Sequence, residues 1–431
     1  MEMIMENSNE SPEKRVSTAS RVASLTIENG ACFESITIPF NERVSVLLGS
    51  NGTGKTTLLL SIYDLLIFQA SGTSHEHIYY PLTRNIDENT SISLVVKGQQ
   101  ETRELGLAYR KEQVSKVPDF KRKYSRGEQP VHLPIVFLTP SRSIKDVLIQ
   151  GIIKEQTRNE RWASHRSSFL KPLTEGGVEE IKQWIVNRYF FKKEEWGDSY
   201  SRELEHFIKN LTTLLPDDDK IDFQHVNKDM EPIFSTRTGS VPLGAFSSGF
   251  QSVIILFWEI LNTYQLYYPK SDNIFLENGI VLIDELEVHL HPEWQRTILN
   301  GLRELFPNTQ FIISTHSPLI ASGCNPGEAI FLRFDEEKKA VLLDTDLPDN
   351  LRGWSADRLL TTIFGLSSTR DGKWDAKIEQ FKSILANSAI SGISDNDKVI
   401  IHNLIRDLDL PATDPVGVYL SSESLKKMLE K

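Results

Sequence analysis

The sequence predicts an α/β protein built on a mostly parallel sheet flanked by helices. Three observations carry that expectation. The glycine-rich stretch Gly49-Ser50-Asn51-Gly52-Thr53-Gly54-Lys55-Thr56 joins one apolar run, Arg43–Leu48, to another, Thr57–Phe68. A further apolar run, Ile280–Ile283, ends in the carboxylate pair Asp284-Glu285. A third, Phe311–Ile313, ends in Ser314-Thr315-His316. Short apolar runs closed by polar groups read as parallel strands buried on both faces, with chemistry at their C-terminal ends.

In chain order, Met1–Ser20 is polar, rich in Glu, Ser and Asn, and has no secretory apolar segment, so a disordered tail is expected. Arg21–Phe40 reads as two strands joined through Glu28-Asn29-Gly30. Arg43–Leu48 is a buried strand and Thr57–Phe68 a mostly apolar helix. Strands are expected at Thr90–Lys97, Leu105–Tyr109 and Pro134–Leu138, with the basic run Arg110–Arg126 as a solvated loop. From Ser143 to Leu215 the pattern turns helical, clearest at Ile181–Phe191 and Tyr200–Leu215. It is expected to project from the core. Pro216–Asp219 is a turn, Ser252–Tyr264 an apolar helix, and Gly279–Ile283 and Gln310–Ile313 central strands. Beyond Asp335 one more strand pair and a mixed helical tail are expected.

The bulk numbers exclude several classes. A chain of 431 residues has room for two or three domains, or one domain with large insertions. A net charge of −11 does not suit a generic nucleic-acid coat, so any DNA contact would need a local basic patch. Cys32 and Cys324 are the only cysteines; they make no disulfide framework and fit a reducing cytoplasm. No apolar run is long enough to span a bilayer.

The chemistry starts at Gly49–Thr57. Strand, glycine loop and helix N-terminus form an anion site, because free N–H groups and the helix dipole both favour negative charge. Lys55 can reach β- and γ-phosphates, and the Thr56 hydroxyl can ligate Mg²⁺. Asp284 is placed to complete the Mg²⁺ shell and Glu285 to polarise water against the γ-phosphate. His316, at a third strand end, can contact that phosphate and sense its loss. Ser247-Ser248-Gly249 precede an apolar helix; the serines suit its N-cap and the glycine admits a phosphate. Alone this is a capped helix. Beside a complete first site it reads as a second γ-phosphate site, serving a nucleotide on another subunit. Glu287-Val288-His289-Leu290-His291-Pro292 suggests zinc only weakly: the histidines are at i, i+2, and no cysteine is near.

The five motifs, in this order from Gly49 to Pro318, resemble the ABC-type ATPases of the SMC-like and OLD-like branch. The resemblance implies a P-loop NTPase core and ATP held with Mg²⁺ between two head-to-tail subunits. It further implies Ser247 and Gly249 as trans γ-phosphate contacts, Glu285 as catalytic base and His316 as switch histidine. Phe246 and Ser248 depart from the transporter signature. No Q-loop glutamine is found; Thr139-Pro140-Ser141-Arg142 stands in its place. The tail, through Arg352–Asp357 and Phe364–Asp371, is similar to PtuA-type ATPases of bacterial Septu anti-phage systems.

The expected organisation is therefore a tail (1–20), a first ATPase lobe (21–142), a helical insertion (143–215), a second ATPase lobe (216–334) and a partner-docking C-terminal region (335–431). The resemblance implies a cytoplasmic ATPase that associates with itself and controls an HNH-type nuclease, with DNA as a further partner and no membrane. No acidic nuclease constellation follows Pro318. A DNA-repair ATPase is the alternative, weakened by the short insertion; a transporter subunit is weakened by signature and tail.

Overall fold

The computed structural model describes residues 20–71, 90–98, 102–109, 121–122 and 133–142, parts of 144–162, 180–408 with short gaps, and Ser422. The tail 1–19, most of the basic run 110–126 and nearly all of 409–431 lie outside the described residues. Contacts divide the chain into two units, 1–359 and 360–431.

The first unit opens with β1 (Arg21–Gly30) and β2 (Phe33–Pro39), followed by β3 (Val44–Gly49) and α1 (Lys55–Ser71). Next come β4 (Thr90–Lys97), β5 (Thr102–Tyr109), β6 (Lys121–Arg122) and β7 (Ile135–Leu138). After α2 (Glu180–Phe191) and α3 (Asp198–Leu211) the chain makes β8 (Asp222–Val226), β9 (Pro232–Thr236), β10 (Gly239–Pro242) and α4 (Ser248–Tyr267). Then β11 (Gly279–Ile283), α5 (Pro292–Leu305), β12 (Thr309–Ser314) and α6 (Pro318–Ala321) precede β13 (Ala329–Asp335) and β14 (Ala340–Leu343).

The central sheet has the order β14-β13-β3-β12-β11-β7. Every pairing in it is parallel except β13–β14. The expected α/β architecture is the one observed. Strands β3, β11 and β12 are buried along their whole length, which explains their unbroken apolar runs. A second sheet, β2-β1-β4-β5-β6, is antiparallel. Its strand β4 alternates buried and half-buried positions, as a sheet with one covered face must.

Helix α1 shares one core with both sheets. Leu58, Leu59, Ile62, Leu65, Leu66 and Ile67 sit with Leu25, Ile38 and Leu94 of the antiparallel sheet and Leu282 and Ile312 of the parallel one. A helix enclosed in this way needs apolar residues around its whole circumference, and the sequence supplies them. Gln310, fully buried in β12, ties the sheets together. Its carbonyl accepts from Val22 N–H at 2.8 Å, and its amide donates to Val22 O at 2.8 Å and Asn41 O at 2.9 Å. Val22 borders a register shift between β1 and β4, so the side chain bonds a backbone group beside an irregular ladder.

Four features differ from the sequence expectation. Lys121-Arg122, read as part of a solvated loop, forms β6 against Leu107 and Ala108. Three strands, β8 to β10, form a small antiparallel sheet where no strand was expected; β8 is half exposed and its apolar signal is weak. The described part of the insertion does not project. Its aromatic residues dock it on α4, with Trp184 4.9 Å from Trp258 and Phe207 5.1 Å from Phe257 between ring centres. The late strand pair begins at Ala329 and belongs to the central sheet.

In the second unit, α8 (Gly372–Ser391) and α9 (Asp395–Leu408) follow α7 (Ala356–Thr362), which crosses the division. Ile378, Phe381, Ile401 and Leu404 are buried, while Val399 and Leu366 are exposed.

Replacing Gln310 by Leu keeps the volume but strands three backbone groups in the core. The Gln310→Leu chain should lose about 2–4 kcal/mol of stability, read as a lower urea midpoint; an unchanged midpoint would show that the inter-sheet bonds add nothing.

Candidate nucleotide site

The site is assembled where three parallel strands end. Strand β3 runs into the glycine loop, whose backbone needs conformations that only glycine takes easily. Gly54 has φ +77°, and a Cβ there would come within 2.5 Å of the Phe33 ring and 2.6 Å of Cys32 Sγ. Gly52 has φ +81° and open space above it. Thr53 closes the loop beneath by donating to Ser50 O at 2.9 Å. Lys55 begins α1 and turns back onto the loop, donating to Gly49 O at 2.9 Å and Ser50 O at 3.0 Å. Burial lowers its ammonium to about 8, against the opposing pull of Asp284, Glu287 and Glu285.

Strand β11 delivers Asp284, which is 3% exposed. One carboxylate oxygen accepts from the Thr56 hydroxyl at 2.8 Å and the other from the Ser314 hydroxyl at 2.5 Å. Ser314 Oγ also accepts from Glu285 N–H at 2.8 Å. Glu285 stands in the left-handed region at φ 48°, which turns its side chain away from the strand path. Burial, then repulsion by Asp284 and Glu287, raises its carboxyl above the ordinary range, opposed by Lys55 and Arg142. Strand β12 delivers His316, whose backbone N–H donates to Glu287 Oε1 at 2.5 Å. Its imidazole is held below the usual range by burial first and the Lys55 charge second, which favours the neutral ring.

These groups face one cleft of ≈ 740 Å³. Asn51, Gly52, Gly54, Lys55, Thr56, Thr57, Asp284, Glu285 and His316 line it, and Ala31, Cys32 and Ser314 complete the wall. Gly49, Ser50 and Thr53 shape the loop without lining the cleft. The structure thus brings the loop, the carboxylate pair and the histidine together. It does not bring Ser247, Ser248 or Gly249 into that cleft. Ser247 caps α4 by accepting from Phe250 N–H, and Ser247 and Ser248 are exposed. Gly249 packs so tightly that a Cβ would meet His289 O at 2.8 Å.

Sequence reasoning left several residues without a role. Ser314 and Glu287 stood inside quoted motifs, but only the meeting of strand ends gives them partners. Arg142 stands after β7 where a glutamine was sought. It is 3% exposed and donates to Asp284 O at 3.3 Å and to Glu285 O. Burial lowers it to about 10. No metal-ligating cluster of three or more His, Cys, Asp or Glu occurs among the described residues, so His289 and His291 gain no partners for zinc. Among those residues, no helix is long and apolar enough to cross a membrane.

The Septu protein PtuA of Bacillus thuringiensis is 24% identical over 383 residues, covering 84% of this chain and 89% of that protein. The Retron Vc95 probable ATPase of Vibrio cholerae serotype O1 biovar El Tor is 31% identical over 179 residues, covering 40% of this chain and 34% of that protein. Among solved structures, the SMC head bound to the C-winged helix domain of ScpA aligns with TM-score 0.44 and 12% identity, over 75% of this chain and 97% of that one. A family model described as "AAA domain, putative AbiEii toxin, Type IV TA system" matches residues 44–322. That span holds β3, the glycine loop, the carboxylate pair and His316, and it exceeds half of the chain: the protein belongs to this AAA family.

Proposed function

We propose that this chain is the ATP-binding and ATP-hydrolysing subunit of an anti-phage defence complex. The convergence of Lys55, Thr56, Asp284, Glu285 and His316 on one cleft carries the proposal. The glycine loop and the N-terminus of α1 would hold the phosphates through backbone N–H groups. Lys55 would leave Gly49 O and Ser50 O for the β- and γ-phosphates. Thr56 and Asp284 offer one hydroxyl and one carboxylate, already 2.8 Å apart. That sparse oxygen set suits Mg²⁺, which keeps several waters and takes the rest of its shell from phosphates. Bound there, Mg²⁺ would neutralise charge on the phosphates. Glu285, whose carboxyl burial raises above the ordinary range, would orient the attacking water and accept its proton. His316, neutral, would contact the γ-phosphate.

Ser247, Ser248 and Gly249 form a helix N-terminus outside the cleft, which supports their use against a nucleotide held by a second copy. The chain then works as a head-to-tail pair with two composite sites. The Septu relative, similar over most of both chains, supports a defence role; the partner we propose is a separate HNH-type nuclease, docked through the C-terminal region 335–431.

Lys55→Ala removes a charged hydrogen-bond donor and should weaken ATP binding by about 1.5–3 kcal/mol, roughly 10- to 150-fold in Kd, measured with a fluorescent ATP analogue. Glu285→Gln should bind ATP but turn over at a small fraction of the wild-type rate; wild-type turnover would remove Glu285 from the base role.

Burial lowers Lys55 to about 8, and a phosphate beside it would raise that value. Binding at about pH 8.5 should therefore take up protons, and affinity should fall as pH rises above 8. Calorimetry in buffers of different ionisation enthalpy reads both; proton release on binding would contradict the lysine assignment.

Mixing tests the pair. Lys55→Ala and Ser248→Arg chains should each be inactive and recover part of the turnover together. Ser248 is chosen because it is exposed, whereas a side chain at Gly249 would press on His289 O. Mixtures as inactive as their components would argue against composite sites.

A further inference from the structure

The loop that follows β11 is held in an uncommon shape. Glu285 at φ 48° and His289 at φ 67° both occupy the left-handed region. Such backbone persists only where surrounding bonds over-determine it. Glu287, between them, supplies two of those bonds, and both go to the end of β12. Its Oε2 accepts from the Thr315 hydroxyl at 2.6 Å and its Oε1 from the His316 N–H at 2.5 Å. The contact continues in a ring. Thr315 Oγ1 accepts from Ser317 N–H at 2.9 Å. The Ser317 hydroxyl donates to Gln295 Oε1 at 2.6 Å, and the Gln295 amide donates to Leu290 O at 2.8 Å. The ring therefore returns to the loop that carries Glu287.

We propose that Glu287 is a positioning residue for ATP hydrolysis: its carboxylate fixes the Thr315–Ser317 turn so that His316 meets the γ-phosphate in one orientation. The proposal rests on the ATPase reading above. It also gives the Glu-x-His-Leu-His-Pro run a role other than zinc. Glu287 does not line the cleft. Its two oxygens are spent on the residues at and before the histidine, so its hydrogen bonds reach the substrate through His316, while its charge is also felt by Lys55 and Glu285. A carboxylate suits the task because it accepts both bonds without rotating, and charge-assisted bonds of this length are strong. Placement of a contacting group to within a fraction of an ångström decides whether it stabilises the transition state.

The test uses the full chain with Mg²⁺ and ATP. Glu287→Gln keeps the shape but leaves one acceptor oxygen for two donors; Glu287→Ala removes both acceptors. Each variant should lose about 10- to 100-fold in kcat, with KM and the Kd for ATP within about threefold of wild type. In a His316→Ala background the Glu287→Gln change should cost much less than it does alone, because the group it positions is gone and only its charge on Lys55 and Glu285 is left to lose. In the nucleotide-free chain, amide hydrogen exchange in the 311–318 segment should quicken in Glu287→Gln. Multiplicative losses in the double variant, an equal loss of ATP affinity and turnover, or unchanged exchange would each overturn the proposal. If Glu287→Ala fails to fold, Glu287→Gln carries the test. A wild-type chain that does not hydrolyse ATP would sink the ATPase reading alone, and the exchange measurement would still decide whether Glu287 holds the turn.

Discussion

The carboxylate of Asp284 is the contact on which the site depends. It is buried, so its oxygens must be met by hydrogen-bond donors. Two hydroxyls meet it, Thr56 from the head of α1 and Ser314 from the end of β12. One side chain on β11 is thereby tied to the elements that follow β3 and β12. Ser314 then passes the constraint on by accepting from Glu285 N–H. The order of the central sheet makes this possible, because β3, β12 and β11 are parallel neighbours and end on the same edge.

The polar groups of the cleft consequently satisfy one another. Lys55 spends its donors on the carbonyls of its own loop, and Thr56 spends its hydroxyl on Asp284. A ligand has to exchange these bonds for its own, so affinity is a difference between two well-bonded states. This argues for a site selective for a group that answers several of them at once.

The antiparallel sheet has a part in the site as well as in the core. The turn between β1 and β2 brings Ala31 and Cys32 to the cleft wall, and Phe33 and Cys32 crowd Gly54 from behind. The loop cannot change its path without disturbing that turn. Gln310 and the shared core around α1 hold the two sheets in register, so the phosphate loop is supported from both sides. Glu287 makes the equivalent support for the histidine turn.

The parallel core, the glycine loop and the three strand ends are legible in the residues alone. These signals are local: a strand buried on both faces must be apolar throughout, and a backbone that curls around an anion must carry glycine. They could not determine which strand ends would be neighbours, so Ser314, Arg142 and Glu287 stood in view without a role. The strands β8 to β10 were missed because half-exposed strands carry little apolar contrast. The insertion shows apolar residues at helical spacing, but only packing shows that α4 covers its aromatic side chains. Chain-local chemistry is written in residue types and spacing. Partners distant in sequence, such as Thr56 and Asp284 or Glu287 and His316, are decided by sheet order, because only packing in three dimensions sets which polar ends can reach each other.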